Sequence, residues 1–165
     1  RALGENARIV RVMPSTPALI GFGASAFATG KNVRPADIQI VQTMFSAVGI
    51  AVQVEERLMD AVTALSGSGP AFVYLFIEAL TDAGVRHGIP RDLARQLAAQ
   101  TVRGAAEMVI QTSEHPAVLR DRVTSPGGTT IAGLAAMEES GFRSAVFAAI
   151  EAAAQRAWEL SRGGS

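Results

Sequence analysis

Hydrophobic residues recur along most of this chain at three- and four-residue spacing, which is typical of helices with one buried face. After Glu55 this pattern predicts six helices, near residues 56–65, 70–87, 90–111, 116–122, 130–140 and 142–161. Pro70, Pro90 and Pro116 stand where three of them would begin, a position that proline suits. The last helix carries one apolar stripe, made of Phe142, Val146, Ile150, Ala153, Ala157 and Leu160.

Before Glu55, shorter alternating runs of β-branched and polar residues predict a mixed α/β segment. Strands are expected over residues 7–13, 24–29 and 50–54, and a helix over residues 35–48. The chain opens with neither Met nor a signal-type apolar stretch. We therefore expect it to be a piece of a longer protein.

Composition excludes several classes of function. The chain has 165 residues, of which 48% are hydrophobic and only 5% aromatic, so we expect a core of small aliphatic side chains. Fifteen basic residues balance 15 acidic ones without forming a basic stripe, and nucleic acid is not an expected partner. The absence of Cys removes thiol chemistry and suits a cytoplasmic setting. We expect no metal site, since His87 and His115 could form one only with carboxylates.

The most apolar stretch runs from Ala71 to Leu80 and is interrupted by Glu78. It is about half of the roughly 20 residues that a membrane span requires, so we expect no membrane partner and a buried helix. The stretch is apolar on nearly all sides. It is either the central helix of a monomeric bundle or a helix that a second subunit covers, and the periodicity leaves both open.

Three glycine-rich segments are candidates for binding. Residues 21–26 have the spacing of a dinucleotide fingerprint, but β-like sequence follows where a helix should begin, so we reject that role. Residues 124–130 precede a helix and could present backbone N–H groups to a carboxylate or phosphate, although an ordinary capped turn fits equally well. Residues 64–70 are typical of a tight turn between helices, with Asp60 and Thr63 on one helix face just before it.

Three segments resemble the pyrroline-5-carboxylate reductase family in order and spacing. They are Val12-Met13-Pro14-Ser15-Thr16-Pro17, the stretch from Asp60 to Ala71, and the stretch from His115-Pro116 through Leu119-Arg120-Asp121 to Val123-Thr124-Ser125-Pro126-Gly127-Gly128-Thr129-Thr130, which is the family's signature. The resemblance implies a mainly α fold. A helical dimerisation domain at residues 56–165 would follow a short α/β remnant of a Rossmann-type domain at residues 1–55, made of its closing strands and helix.

Members of this family reduce 1-pyrroline-5-carboxylate to L-proline, the last step of proline biosynthesis, with NADPH or NADH. The resemblance implies that Thr63 is the catalytic residue and faces the ring nitrogen. It also implies that the substrate carboxylate is bound by Ser125, Gly127, Gly128, Thr129 and Thr130. The nicotinamide would lie near Val12, Met13 and Pro14. A cytoplasmic enzyme is implied, active as an intertwined homodimer or a higher oligomer. The family's pyrophosphate-binding strand, turn and helix are lacking here, so we expect the 165 residues alone to be inactive.

Two alternatives differ from this hypothesis in testable ways. The β-hydroxyacid dehydrogenases also join a Rossmann domain to a helical one, but they use a catalytic Lys on a helix of the second domain. The only Lys of this chain, Lys31, precedes the helical region, which disfavours that class. A non-catalytic helical dimerisation module is the alternative that fits these residues taken alone.

Overall fold

The computed structural model describes residues 4–163. The first three residues of the expected nucleotide-binding segment and the last two of the expected helical domain lie outside this range. The chain divides into two compact units. One contains the residues up to Ala71 together with those from Phe147 onward, and the other is Phe72–Val146. The expected domain boundary between residues 55 and 56 remains a prediction.

A three-stranded sheet forms the centre of the first unit. Its strands are β1 (Val10–Met13), β2 (Gly23–Thr29) and β3 (Gly49–Gln53). Strand β2 lies in the middle, antiparallel to β1 and parallel to β3. Its residues from Ser25 to Ala28 are buried, and Phe27 has no exposed surface. The core of this unit is therefore built around β2.

Helix α1 (Pro35–Ser46) connects the parallel strands β2 and β3, as a parallel pair requires a crossover. Asp37 in its first turn accepts a hydrogen bond from the Arg34 N–H at 2.9 Å and forms an ion pair with Arg8 at 2.7 Å. The predicted strands and helix are confirmed, with ends that differ by a few residues. The helix stops at Ser46 because the chain must turn back into β3.

All six predicted helical segments after Glu55 are present, and the mainly α fold is confirmed. They are a 3-10 turn (Glu56–Leu58) continuing into α2 (Met59–Val62), then α3 (Gly69–Arg86), α4 (Arg91–Thr112), α5 (Pro116–Arg122), α6 (Thr129–Glu139) and α7 (Phe142–Ser161). The first segment differs from a simple α-helix, because Thr63–Gly67 forms a π-helical turn. A further 3-10 helix, Thr16–Ile20, was not predicted.

The long helices bury few of their own side chains within the described residues. Helix α3 buries only Thr81, α4 buries only Ala94 and Ala98, and neither α6 nor α7 buries any residue within the described range. On α3, Tyr74 and Leu75 are 58% and 66% exposed. The expectation that the apolar run on α3 is buried therefore fails for this chain by itself, and its exposed side chains do not fit the central helix of a monomeric bundle.

One helical stretch, Glu56–Arg86, is long and apolar enough to cross a membrane by length and composition, with a mean hydropathy of 1.2. It includes the run that we expected to be too short for a span. A single helix of this kind is a weak indication, because core helices of soluble proteins have the same length and composition. The absence of a membrane partner remains a prediction.

Glycines at the start of β2 and β3 allow these strands to approach closely. Gly49 has a φ of 148°, and a Cβ there would overlap the backbone of Gly23. The Gly23 N–H donates to the carbonyl of Val48 at 2.8 Å. Gly21, with a φ of 80°, ends the 3-10 helix. The fingerprint-like glycines thus lead into a strand, which agrees with our rejection of a dinucleotide role.

We predict that Gly49→Ala lowers the free energy of unfolding by about 2 to 5 kcal/mol, because the new Cβ meets both backbone strain and the neighbouring strand. The matched control is Gly104→Ala on α4. Nothing lies within 4 Å of its Cβ position, and alanine favours a helix by up to about 1 kcal/mol. Urea denaturation measures both effects. Equal stability of the two variants would contradict the close approach of β2 and β3.

Candidate active site

Thr63, the predicted catalytic residue, begins the π turn and is half-buried. Its hydroxyl donates to the carbonyl of Met59 at 2.8 Å, and its own carbonyl accepts from the Ser68 N–H at 2.8 Å. The hydroxyl proton is therefore engaged within the helix, while the lone pairs of the Thr63 oxygen remain able to accept. Turns of this kind are frequent at functional sites, because they displace the residues that follow from the regular helical path.

Strand β1 brings Met13, a predicted nicotinamide contact, to the same turn. A Cβ on Gly67, the last residue of the turn, would lie 3.3 Å from the Met13 sulfur and 3.8 Å from the Thr63 methyl carbon. Val12 and Met13 are half-buried, and Pro14 is exposed. Met13 and Thr63 thus both lie beside Gly67, a position that carries no side chain.

An ion-pair cluster that the sequence did not predict joins β1, the strand of Met13, to the helical segment at residues 56–67, which contains Thr63. The Arg11 guanidinium lies 2.6 Å from the carboxylate of Glu56 and 3.7 Å from that of Asp60. The Oδ1 atom of Asp60 is buried and has no hydrogen-bond partner among the described residues. The sequence had indicated Asp60 only as a neighbour of Thr63. A lone basic residue between Val10 and Val12 was the signal that could have revealed Arg11.

Ser15, directly after the predicted nicotinamide contacts, is also a structural residue that the sequence did not single out. It is buried, and its hydroxyl accepts a hydrogen bond from the Ala24 N–H at 2.9 Å. This bond joins the start of the unpredicted 3-10 helix to β2. Pro17 near the start of that helix and Gly21 after it were the available signals.

The predicted carboxylate loop lies in the other unit, Phe72–Val146. Gly127 has a φ of 67°, which favours glycine, and the Gly128 N–H donates to the Ser125 carbonyl at 3.1 Å. A Cβ on Gly128 would lie 3.2 Å from the same carbonyl and even closer to the Ser125 hydroxyl. The two glycines therefore allow a tight turn that leads directly into α6.

Helix α6 begins without a side-chain cap. Its N-cap residue is Gly128, and within the described part of the chain no side chain caps this helix. The first backbone bond runs from the Ala132 N–H to the Gly128 carbonyl at 3.3 Å, so the amides of residues 129–131 precede the helical ladder. The ordinary capped turn, our alternative for this loop, lacks its cap here. Uncapped amides and the helix dipole favour an anion.

The charged residues just before the loop are engaged with one another. Arg122 forms a two-pronged ion pair with Glu114, with distances of 2.6 and 2.8 Å, and Arg120 lies 3.0 Å from Asp121. His115 caps α5, its Nδ1 accepting from the Ala117 N–H at 3.2 Å. Neither arginine is therefore an unpaired cation reserved for an anion at the loop.

A shifted pKa on α7 involves none of the predicted site residues. Hydrogen bonds from Arg156 and Gln155 lower the pKa of the exposed carboxyl of Glu159 on α7. Within residues 4–163, no cluster of three or more His, Asp or Glu side chains could hold a metal ion. The polar groups that the predicted site residues offer are hydroxyls and backbone groups.

Residues 56–160 match the sequence model of a family described as pyrroline-5-carboxylate reductase dimerisation. The pyrroline-5-carboxylate reductase of Synechocystis is 55% identical over 154 residues, which cover 93% of this chain and 58% of that protein. Its counterpart in Arabidopsis thaliana is 53% identical over 155 residues, which cover 94% of this chain and 56% of that protein.

The fold is also found in a solved structure. The crystal structure of Plasmodium falciparum pyrroline carboxylate reductase with NADP bound matches this chain with a TM-score of 0.90 and 42% sequence identity. The match covers 98% of this chain and 61% of the other. The chain thus spans less than two thirds of the length of each of these proteins.

Proposed function

The chain belongs to the pyrroline-5-carboxylate reductase family, and we propose that it forms part of an enzyme reducing 1-pyrroline-5-carboxylate to L-proline. The observation that carries this proposal is the 55% identity to a named reductase across 93% of the chain. The family membership leaves no place for the β-hydroxyacid dehydrogenase alternative. Because the relatives are longer, the activity of the whole protein is proposed and not read from this chain.

The substrate has two features that the protein must handle, a carboxylate and a carbon–nitrogen double bond. When bound, NADPH or NADH supplies the hydride that reduces the carbon of that bond. The remaining requirements are orientation and a proton on the nitrogen. Oriented hydroxyls and amides can meet them without a strong nucleophile.

The described residues fit one end of the nicotinamide cofactor. The half-buried Met13 beside Gly67 offers an apolar surface suited to a nicotinamide ring, and Val12 and Pro14 adjoin it on the chain. The glycines near β2 lead into a strand, so within residues 4–163 they offer no helix start for the pyrophosphate. We propose that Val12, Met13 and Pro14 contact the nicotinamide end, while another part of the enzyme holds the pyrophosphate.

We propose that Thr63 faces the ring nitrogen. Its hydroxyl proton is donated to Met59, so the oxygen is placed to accept a hydrogen bond from a protonated ring nitrogen or from water. A threonine hydroxyl is too weak an acid to deliver the proton itself. Thr63 therefore acts as an acceptor or relay that keeps the protonated nitrogen oriented during hydride transfer.

We propose that the loop of Ser125, Gly127, Gly128, Thr129 and Thr130 holds the substrate carboxylate. Support comes from the uncapped start of α6 and from the engagement of both neighbouring arginines in ion pairs. Oriented amides and hydroxyls must then stabilise the negative charge.

We also propose that the protein is a cytoplasmic homodimer whose helices α3 and α7 cross the subunit boundary. Self-association agrees with the dimerisation family and with the apolar side chains that α3 exposes. Obligate dimers commonly bury roughly 2,000 Å² or more, an area that two long helices can supply. A non-catalytic dimerisation module is the second candidate, since the matching family model is one of dimerisation and covers only residues 56–160.

We predict a dimeric mass in light scattering at micromolar concentration. Leu75→Asp should shift the mass toward the monomer, because it places a charge on the exposed apolar side of α3. Leu19→Asp is the control, since Leu19 is also exposed, at 88%, but lies on the 3-10 helix. A monomeric wild-type chain would contradict the prediction.

We predict that the 165 residues alone do not oxidise NADPH in the presence of 1-pyrroline-5-carboxylate. The same chain, extended upstream to the length of its relatives, should do so with saturation kinetics. The reason is that the nicotinamide cannot be oriented without a site for the pyrophosphate. Inactivity of the extended chain would favour the non-catalytic module, and activity of the short chain would contradict the proposed division of the cofactor site.

In the extended enzyme, Thr130→Ala should weaken substrate binding by about 1 to 3 kcal/mol, the range for a hydrogen bond to a charged group. Thermal stability should hardly change, because no side chain caps α6. Thr112→Ala at the end of α4 is a control that should leave the Michaelis constant unchanged, because its hydroxyl bonds to backbone groups, donating to the Met108 carbonyl and accepting from the Glu114 N–H. Melting temperature and steady-state kinetics together distinguish a carboxylate site from a turn with a purely structural role. An unchanged Michaelis constant and turnover for Thr130→Ala would refute the carboxylate assignment.

A further inference from the structure

Arg11 and Met13 lie two residues apart on β1, so their side chains leave the strand on the same face. Both meet the helical segment that follows β3. Arg11 contacts Glu56 and Asp60 near the start of this segment, and Met13 lies beside Gly67 at its end. One face of β1 thus meets this segment at two points, one charged and one at the proposed reaction site.

The charged point consists of one guanidinium between two carboxylates four residues apart. Glu56 accepts a hydrogen bond from Arg11 at 2.6 Å, and Asp60 lies at 3.7 Å, a distance for charge attraction without a hydrogen bond. The Asp60 side chain is only 26% exposed, and its Oδ1 atom is buried without a hydrogen-bond partner among the described residues. Arg11 therefore provides the positive charge that this carboxylate needs.

Thr63 follows Asp60 by three residues, so both lie on one side of the helical segment. A displacement of Asp60 relative to β1 would move Thr63 relative to Met13. Exposed ion pairs usually add little stability. This pair differs because removal of Arg11 leaves a partly buried carboxylate without its counter-charge, which drives Asp60 toward water.

We propose that Arg11 is a positioning residue, which holds the helical segment against β1 through Glu56 and Asp60 and thereby sets the spacing between Met13 and Thr63. This inference rests on the proposed function, in which Met13 lies at the nicotinamide and Thr63 at the ring nitrogen. In this proposal Arg11 acts through its carboxylate partners, Glu56 and Asp60, and not by contact with the reacting atoms. Its effect reaches the reaction through the two residues that flank Gly67.

The test compares Arg11→Gln with Arg8→Gln in the extended enzyme. Arg8 is the matched control, because it also precedes Met13 and forms an ion pair of 2.7 Å, but with Asp37 on α1. Arg11→Gln should lower kcat about 10- to 100-fold, the cost of a small misplacement of reacting groups. The KM for 1-pyrroline-5-carboxylate should stay unchanged, and Arg8→Gln should retain wild-type kcat.

A second readout does not depend on activity. In protein labelled with ¹³C in its methionine methyl groups, Arg11→Gln should shift the Met13 resonance and Arg8→Gln should not. Asp60→Asn, which keeps the shape of the side chain, should shift the same resonance and covers the case in which Arg11→Gln fails to fold.

The two readouts distinguish failure of this inference from failure of the proposed function. An active wild-type enzyme in which Arg11→Gln and Arg8→Gln have the same kcat overturns the positioning role. An unmoved Met13 resonance in both Arg11→Gln and Asp60→Asn overturns it whether or not the wild type is active. A wild-type enzyme that does not reduce the substrate refutes the proposed function, while the Met13 resonance still decides the role of Arg11.

Discussion

The apolar side chains of the long helices must leave water for this sequence to fold, and the chain buries few of them by itself. Each large aliphatic or aromatic side chain gains roughly 1.5 to 3 kcal/mol on full burial. Tyr74 and Leu75 on α3, and Phe147 on α7, are each more than half exposed. That much uncovered apolar surface is unusual for a monomer and typical of a subunit. A second copy of the chain is the cover that the family match supports.

This requirement influences where functional groups can lie. Helices that serve an interface must keep regular apolar faces, so irregular backbone is confined to their ends and junctions. The π turn at Thr63–Gly67 lies just before α3, and the turn at Gly127 and Gly128 lies just before α6. The predicted loop site thus occupies a helix start, where backbone amides precede the first helical bonds, and the predicted Thr63 site occupies a π turn within a longer helical stretch. The regular parts of α3 and α6 remain available for packing.

The sequence predicted the regular elements because each depends on a local signal. Proline at helix starts, glycine in the breaks and apolar periodicity gave the helices from α3 to α7 within a residue or two. It did not predict the π turn, which lies beside Met13 of a strand distant in the sequence and which no local signal marks. The Arg11 cluster was missed for the same reason. The assignments of the carboxylate loop and of Thr63 rest on resemblance and remain predictions, because no local rule distinguishes these residues from ordinary turns and polar faces.

The charges around the loop at residues 125–130 bear on its proposed role, which is to hold a carboxylate without a full positive charge. Arg120 and Arg122 are the nearest cations in the sequence, and the acidic groups of Asp121 and Glu114 engage them. An arginine bound directly to the carboxylate would hold substrate and product about equally, and such uniform binding does not lower the barrier to hydride transfer. It would also oppose the positive charge of a protonated ring nitrogen nearby. Amide dipoles at a helix start orient the carboxylate with about half a unit charge, so the protonated nitrogen meets less repulsion from them than from a full cation.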